Sequence, residues 1–261
     1  MTDSRITRRS RLARNRRYHR LMGCFNLILM IGIGYLLMMG FNGYQNYQTQ
    51  KLNRYPIRGV TVSQQNSYVD FISLANAGEK FIYIRASQGS IYTDNDFADN
   101  YQRSQGSNLK IGVYHSFSFN SSAADQFANF SSEVGNDIGI LPIAIQINVN
   151  EASLSSSQVR SVRSFINQIQ QRYDRRVVIW STPKIYDQVR FGKQLCLFWS
   201  LNNSLNHGQS GVLKTYNASQ NIKNDGQNQQ FIQAVFAGSN AQWKSYIRPN
   251  LSENGGTTSE N

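Results

Sequence analysis

The chain has 261 residues, with 27 Lys and Arg against 15 Asp and Glu, a formal net charge of +12 with its three histidines neutral. Its 40% hydrophobic and 16% charged residues exclude a wholly disordered protein, and two cysteines exclude a small disulfide-stapled one.

Residues 1–20 hold eight arginines (5, 8, 9, 11, 14, 16, 17 and 20) against Asp3, a balance of +7, so the other 241 residues carry +5. This tail runs directly into Leu21 to Phe41, a stretch with no charge and only Asn26 strongly polar. As a helix it would reach about 31 Å, close to the roughly 30 Å hydrocarbon core of a bilayer. The pattern predicts a transmembrane anchor. The arginines then read as a positive-inside signal, with the N-terminus cytoplasmic and everything after Phe41 outside. That assignment makes a single-pass cell-membrane protein and leaves no role for nucleic acid. No small-x-small cleavage site follows the apolar run, where Met38-Met39-Gly40-Phe41-Asn42 is bulky, so an uncleaved anchor is expected. Leu21-Met22-Gly23-Cys24 superficially matches a lipoprotein box, but its cysteine precedes the apolar run instead of ending it.

Residues 42–56 are polar without an apolar period and read as a stalk, and the Gly/Ser/Thr-rich residues 250–261 read as a disordered tail. One folded domain is expected over 57–249. Cys24 lies in the span and Cys196 in an apolar run, so no disulfide within that domain is possible. His19, His115 and His207 are scattered, so no metal and no cofactor is expected.

Within the domain, strands are expected at Ile57 to Val62, Lys80 to Arg85, Lys110 to His115, Leu141 to Ile147, Arg176 to Ser181, Gln194 to Ser200 and Phe231 to Phe236, with a weaker one at Val212 to Tyr216. The clearest helix is Leu154 to Tyr173, where Val159, Val162, Phe165, Ile166, Ile169 and Tyr173 recur at three- and four-residue spacing on one buried face. Seven or eight strands separated by helices predict an α/β fold, a largely parallel (β/α) barrel with its chemistry at the carboxyl ends of the strands.

The motifs at those ends carry a resemblance. Gly59-Val60-Thr61-Val62-Ser63 is followed by Val69-Asp70-Phe71, then by Phe81 to Gly89 (FIYIRASQG), then by Tyr92-Thr93-Asp94-Asn95-Asp96-Phe97 with Asn100. Further on come Ile111 to Phe117 (IGVYHSF), Asp125 to Phe130, Leu141-Pro142-Ile143-Ala144-Ile145, Val178 to Thr182 (VIWST) and Phe236-Ala237-Gly238-Ser239. In this order the motifs resemble glycoside hydrolase family 25, the muramidases that cut peptidoglycan glycan chains. The family patterns are G-V-D-V-S, I-D-W, F-V-Y-I-K-A-T-E-G, Y-x-D-P-x-F, G-x-Y-H-F, Q-A-x-x-F, L-P-x-x-L leading to D-x-E, I-I-Y-T-S and F-N-G-T/S. The similarity spans about residues 57–247.

The departures fall on the family's acids. Thr61 stands for the Asp of G-V-D-V-S, Gln88 for the Glu of A-T-E-G, Gln146 and Asn148 for the D-x-E pair, and Ile232 for a late Asp. Glycoside hydrolysis needs a proton donor at the leaving oxygen and a second carboxylate as base, nucleophile or stabiliser. Amides keep the shape but neither carry the charge nor donate a catalytic proton. Glu151, three residues past Asn148, is the nearest remaining acid that could substitute, although its first reading is helix N-terminal charge. With 27 Asn and 23 Gln in the chain, the amides also fit general drift away from acids.

Arg85, Gln88, Tyr114, His115, Gln146, Asn148 and Trp180 are the candidate ligand-binding set: aromatic faces for sugar rings, amides and a guanidinium for hydroxyls. Each aromatic also reads as core, and Arg85 also as a partner of Asp94 or Asp96. The resemblance implies peptidoglycan or another cell-wall glycan as ligand. Three functions stay open: an inactive muramidase relative that binds the wall or scaffolds envelope proteins, an active enzyme of unusual site chemistry, and a purely protein-docking domain.

Overall fold

The structure is a computed structural model that describes residues 22, 25–44, 52, 54–150, 153–191, 196–201, 211–224 and 226–248. Two compact units divide the chain, Met1–Arg54 and Tyr55–Asn261. In the first, helix α1 (Phe25–Tyr44) has a mean hydropathy of 1.7 and none of its residues is buried. Its length and composition suit a membrane span or a signal sequence alike. It runs past the expected end at Phe41 because Asn42, Gly43 and Tyr44 continue the turn. The basic tail, most of the stalk and residues 250–261 lie outside the described residues.

The second unit is a closed eight-strand barrel. Its strands are β1 (Arg58–Val62), β2 (Phe81–Gln88), β4 (Lys110–Ser116), β5 (Ile143–Gln146), β6 (Val177–Ser181), β7 (Cys196–Ser200), β8 (Leu213–Asn224) and β9 (Gln227–Phe236); a two-residue strand, β3 (Tyr92–Thr93), folds back on β2. Helices α2 (Phe71–Asn76), α3 (Phe97–Gln105), α4 (Ala123–Val134), α5 (Ser156–Tyr173) and α6 (Pro183–Val189) alternate with the strands, and α7 (Asn240–Tyr246) follows β9. Pairing of β1 with both β2 and β9 closes the ring.

Strands β1, β2 and β4 to β8 run parallel around the barrel, but β9 is antiparallel to both of its neighbours. The barrel is therefore mixed, largely parallel as expected and closed by one antiparallel strand. The weak strand at 212–216 is the start of a 12-residue strand, paired with β9 down to Asn224↔Gln227. Gly226, in the hairpin connection between the two strands, has φ 74°.

Side-chain alternation makes two apolar layers. Inward-facing Phe81, Tyr83, Tyr114, Val178, Trp180, Trp199, Leu213 and Phe236 fill the barrel. Outward-facing Val60, Ile82, Ile84, Val113, Ile143, Ile145 and Ile179 pack against Phe130 of α4 and Val162, Phe165, Ile166 and Ile169 of α5. The buried face of α5 is the one its periodicity marks. Ser155 caps it by accepting from the Gln158 amide, and Asp174 ends it in the left-handed region at φ 48°.

Candidate functional site

Strand register fixes which side chains meet at the carboxyl end of the barrel. Gln88, Ser116, Gln146, Trp180 and Trp199 pair in one continuous row across β2, β4, β5, β6 and β7. One step deeper lie Arg85, Tyr114, Ala144 and Val178. Across the closing seam Thr61 faces Ile232. Of the sequence candidates, the structure thus assembles Thr61, Arg85, Gln88, Tyr114, Gln146, Trp180 and Ile232 on the barrel's inner side, with exposed Asn148 two residues beyond β5. Glu151 lies outside the described residues.

The polar groups in this mouth are amides and hydroxyls. Ser116 Oγ donates to Gln146 Oε1 at 2.6 Å, leaving the Gln146 amide nitrogen free to donate elsewhere. Thr215 Oγ1 accepts from Trp180 Nε1 at 3.2 Å. Trp180 stacks on Trp199 at 4.3 Å and 9°, and Tyr114 meets Trp180 edge-on at 5.6 Å. Trp180 is 1% exposed and Tyr114 5%, so both floor the mouth from within the core and their ring faces are covered by protein. Gln88 and Asn148 are the exposed candidates.

Of two further candidates, His115 serves differently from the sequence reading and Arg85 takes the second of the two roles it offered. His115 lies behind the sheet, not in the mouth. His115 follows inward-facing Tyr114 on β4 and so faces outward, and a one-residue slip on β2 between Arg85 and Ser87 turns Ser87 to the same side. His115 Nε2 contacts Gln126 Oε1 at 3.1 Å, and its Nδ1 contacts Ser87 Oγ at 2.9 Å. Since Gln126 Oε1 is an acceptor, Nε2 carries the proton and Nδ1 accepts from Ser87. Burial, against Phe165 at 4.7 Å, lowers the His115 pKa to about 4, partly opposed by the Gln126 bond, so the ring is neutral at physiological pH.

Arg85, in turn, is engaged by protein. Its Nε donates to Asp94 Oδ2 at 2.8 Å and its Nη2 to Tyr92 at 3.0 Å. Asp94, 1% exposed, also accepts from the Gln64 backbone amide through both oxygens and from Asp96 N. This buried carboxylate is the acid that sequence reasoning passed over as a site member. Its Y-x-D motif and the neighbouring arginine were the available signal. Its bonds are all accepted ones, so it anchors Arg85 and the rim.

No Asp or Glu occupies an inward-facing position at the carboxyl ends of β1, β2, β4, β5, β6 or β7. Beyond the rim, Asp96 and the exposed Asp99 line an open groove of about 540 Å³ with Gln64, Tyr68, Gln102 and Arg103, whose guanidinium lies 4.5 Å over the Tyr68 ring. Among the described residues no three His, Cys, Asp or Glu gather where a metal could bind.

The model of the glycosyl hydrolases family 25 matches residues 60–200. "Lysozyme M1" of Streptomyces globisporus is 30% identical over 136 residues, 48% of this chain and 46% of that protein. "Autolytic lysozyme" of Clostridium acetobutylicum is 30% identical over 111 residues, 42% of this chain and 33% of that protein. The chain thus spans less than half the length of these two relatives. In structure, a family 25 glycosyl hydrolase from Bacillus anthracis superposes with a TM-score of 0.59 at 21% identity, covering 74% of this chain and 94% of that one. A bacterial lysozyme from Streptomyces coelicolor gives 0.57 at 23% identity, over 75% and 97%. A mixed barrel closed by one antiparallel strand, an ordered set of strand-end motifs and a family match over more than half its length lead to one conclusion: the chain belongs to the glycosyl hydrolases family 25.

Proposed function

We propose that this protein is a membrane-anchored, extracytoplasmic muramidase-like domain without hydrolytic activity, which binds peptidoglycan or scaffolds envelope proteins at the cell wall. The observation that carries the reading is the row Gln88, Ser116, Gln146, Trp180, with Thr61 and Ile232 across the seam: hydrogen-bonding groups and aromatic surface where a glycosidase needs two carboxyls. Such a mouth can hold sugar hydroxyls and acetamido groups, yet it offers neither a proton to the leaving oxygen nor a charge to the ring carbon. The anchor reading rests on α1 and the arginines before it, which together favour an N-terminus inside and the barrel outside.

Full-length protein in detergent micelles, incubated with insoluble peptidoglycan, tests both halves. The expected result is co-sedimentation without release of reducing ends above a blank. Release at a rate proportional to enzyme would sink the inactive reading, and absence of co-sedimentation would remove glycan binding and leave protein docking. An active enzyme is the second reading, favoured by the Asp96 and Asp99 carboxylates of the rim groove; loss of any release in Asp99→Asn would locate it there.

A further inference from the structure

The folded unit is electrically lopsided. Residues 55–140 hold five basic and eight acidic side chains, a balance of −3, whereas residues 141–248 hold twelve basic and four acidic ones, +8. Because helices follow one another around a barrel, this partition in sequence becomes a partition in space. Four cations of the basic half lie at the amino-terminal end of the barrel, opposite the mouth. Arg176, just ahead of β6, bonds the carbonyls of Ser245 and Arg248 at the end of α7, whose last turn carries Lys244, and Arg172 in the last turn of α5 bonds Asn136 Oδ1 at 3.5 Å.

These cations are placed but not neutralised. Arg176 Nη2 donates to the backbone carbonyls of Ser245 and Arg248, and its buried Nε has no partner. Burial lowers the Arg176 pKa, the cost of a half-buried guanidinium held by carbonyl oxygens. Arg172, Lys244 and Arg248 are exposed, and none of the four is ion-paired with a carboxylate among the described residues. Asp137 and the α5 cap Asp174 are the acids of this corner; Asp137 neighbours Tyr101 and Arg175. Beside the cations opens a cavity of about 280 Å³, lined by Arg176, Gln242 and Ser245 on its polar side and by Val212 and Phe236 on its apolar side.

We infer that this amino-terminal corner is a second binding surface, for a flexible polymer of phosphodiesters. Arginine suits phosphate because its planar fork presents paired donors to two oxygens. A guanidinium already oriented by carbonyls loses little freedom when the anion arrives. A water-soluble polymer fits better than a bilayer surface. Among the described residues of the folded unit the exposed large hydrophobics are Tyr68, Ile72, Ile91 and Ile140, and only Ile140 lies toward this corner, so these residues offer no apolar wedge to enter lipid there. The barrel would then hold the wall at two ends, glycan at the mouth and anionic polymer at the base.

The test uses full-length protein in neutral detergent with fluorescent poly(glycerol phosphate), read by anisotropy over a series of salt concentrations. Wild type is expected to bind with an affinity that falls linearly in log–log form with salt. The triple variant Arg172→Gln/Lys244→Gln/Arg248→Gln, which leaves the carbonyl contacts of Arg176 intact, is expected to bind at least tenfold more weakly, with a slope shallower by about 2. Arg176→Gln alone is expected to cost severalfold. Its melting temperature separates loss of binding from loss of fold. Because residues 1–20 are also basic, Arg5→Gln/Arg8→Gln/Arg9→Gln is the charge-matched control and is expected to keep wild-type affinity. Equal binding by wild type and the corner triple variant, or loss confined to the tail variant, overturns the proposal. So does equal affinity for polyglutamate, or binding to phosphatidylglycerol vesicles without binding to the polymer.

Discussion

The charged groups inside this barrel are few enough to be judged one by one. Arg85 and Asp94 form a buried pair with side chains 10% and 0% exposed. Removing one partner strands the other's charge, so Asp94→Asn is expected to destabilise by about 3–5 kcal/mol, while Arg85→Met/Asp94→Asn together should lose less than the single change. Thermal melts of the three variants check the order. Glu79, 5% exposed, behaves oppositely. Burial raises its pKa to about 7, opposed by Arg58 and Lys80, and its Oε2 and the Gln233 Oε1 are both buried without a donor. A proton on Glu79 supplies the donor this cluster lacks. The folded state holds that proton more tightly than the unfolded chain, so its stabilising effect is complete below about pH 4.5 and is lost as pH rises through about 7. The loss amounts to about 3 kcal/mol at one pKa unit per 1.36 kcal/mol. His115 has the reverse slope, its folded pKa being depressed to about 4, so it favours folding less as pH falls below about 6.5. The diagnostic is therefore a difference: Glu79→Gln should melt close to wild type at pH 4.5 and several degrees above it at pH 8. Equal melting at pH 8 would remove the proton from this account.

Among the elements, the β8–β9 hairpin was the least legible and is the most distinctive. Strands β1, β2, β4, β6 and β7 are short apolar runs bounded by turn residues, and α5 announces itself by its period, so the barrel could be read from pattern. The hairpin could not, because Asn217 to Gln230 is a nearly uniform amide and hydroxyl stretch with no alternation to show a buried face. Its order comes from tertiary contacts: Ile222 and Phe231 reach the outer core, and Asn224, 1% exposed, clamps the α2 cap. Asn224 Oδ1 accepts from Asp70 N at 2.8 Å and its Nδ2 donates to Asp70 O at 2.7 Å. Asn224→Ala is expected to cost about 1–3 kcal/mol and to speed hydrogen exchange across the hairpin well before the rest of the barrel. Uniform exchange in the variant would show that the clamp is incidental. The site was legible to the same extent as the pattern. The motifs named Gln88, Gln146 and Trp180 of the mouth row but not Ser116, and they set His115 beside Tyr114 although strand alternation turns the two to opposite faces; the bulge at Ala86, which turns Ser87 to the His115 side, has no periodic signal.

At the scale of the whole molecule, the family barrel closes around a mouth lined by amides, hydroxyls and aromatic rings, and the dependence of fold and chemistry on these groups can be tested by replacing them. The stacked Trp180 and Trp199, the interior aromatics and the helix layer hold the strands whatever stands at Thr61, Gln146 and Asn148. Replacing those three by Thr61→Asp, Gln146→Asp and Asn148→Glu supplies three of the five carboxyls that the resemblance assigns to the family, the D-x-E pair among them. Gln146 is half-buried and Asn148 exposed, so both new carboxylates can be solvated; Thr61 is 4% exposed, and an Asp there starts with a raised pKa, suited to a proton donor. If loss of these groups is what silences the barrel, the triple variant should release reducing ends from peptidoglycan at least tenfold above the wild-type level. The Gln146→Asp/Asn148→Glu double variant should fall between. A triple variant that folds, binds peptidoglycan and releases nothing would mean that the mouth has changed in shape as well as in charge, leaving binding as the barrel's own function.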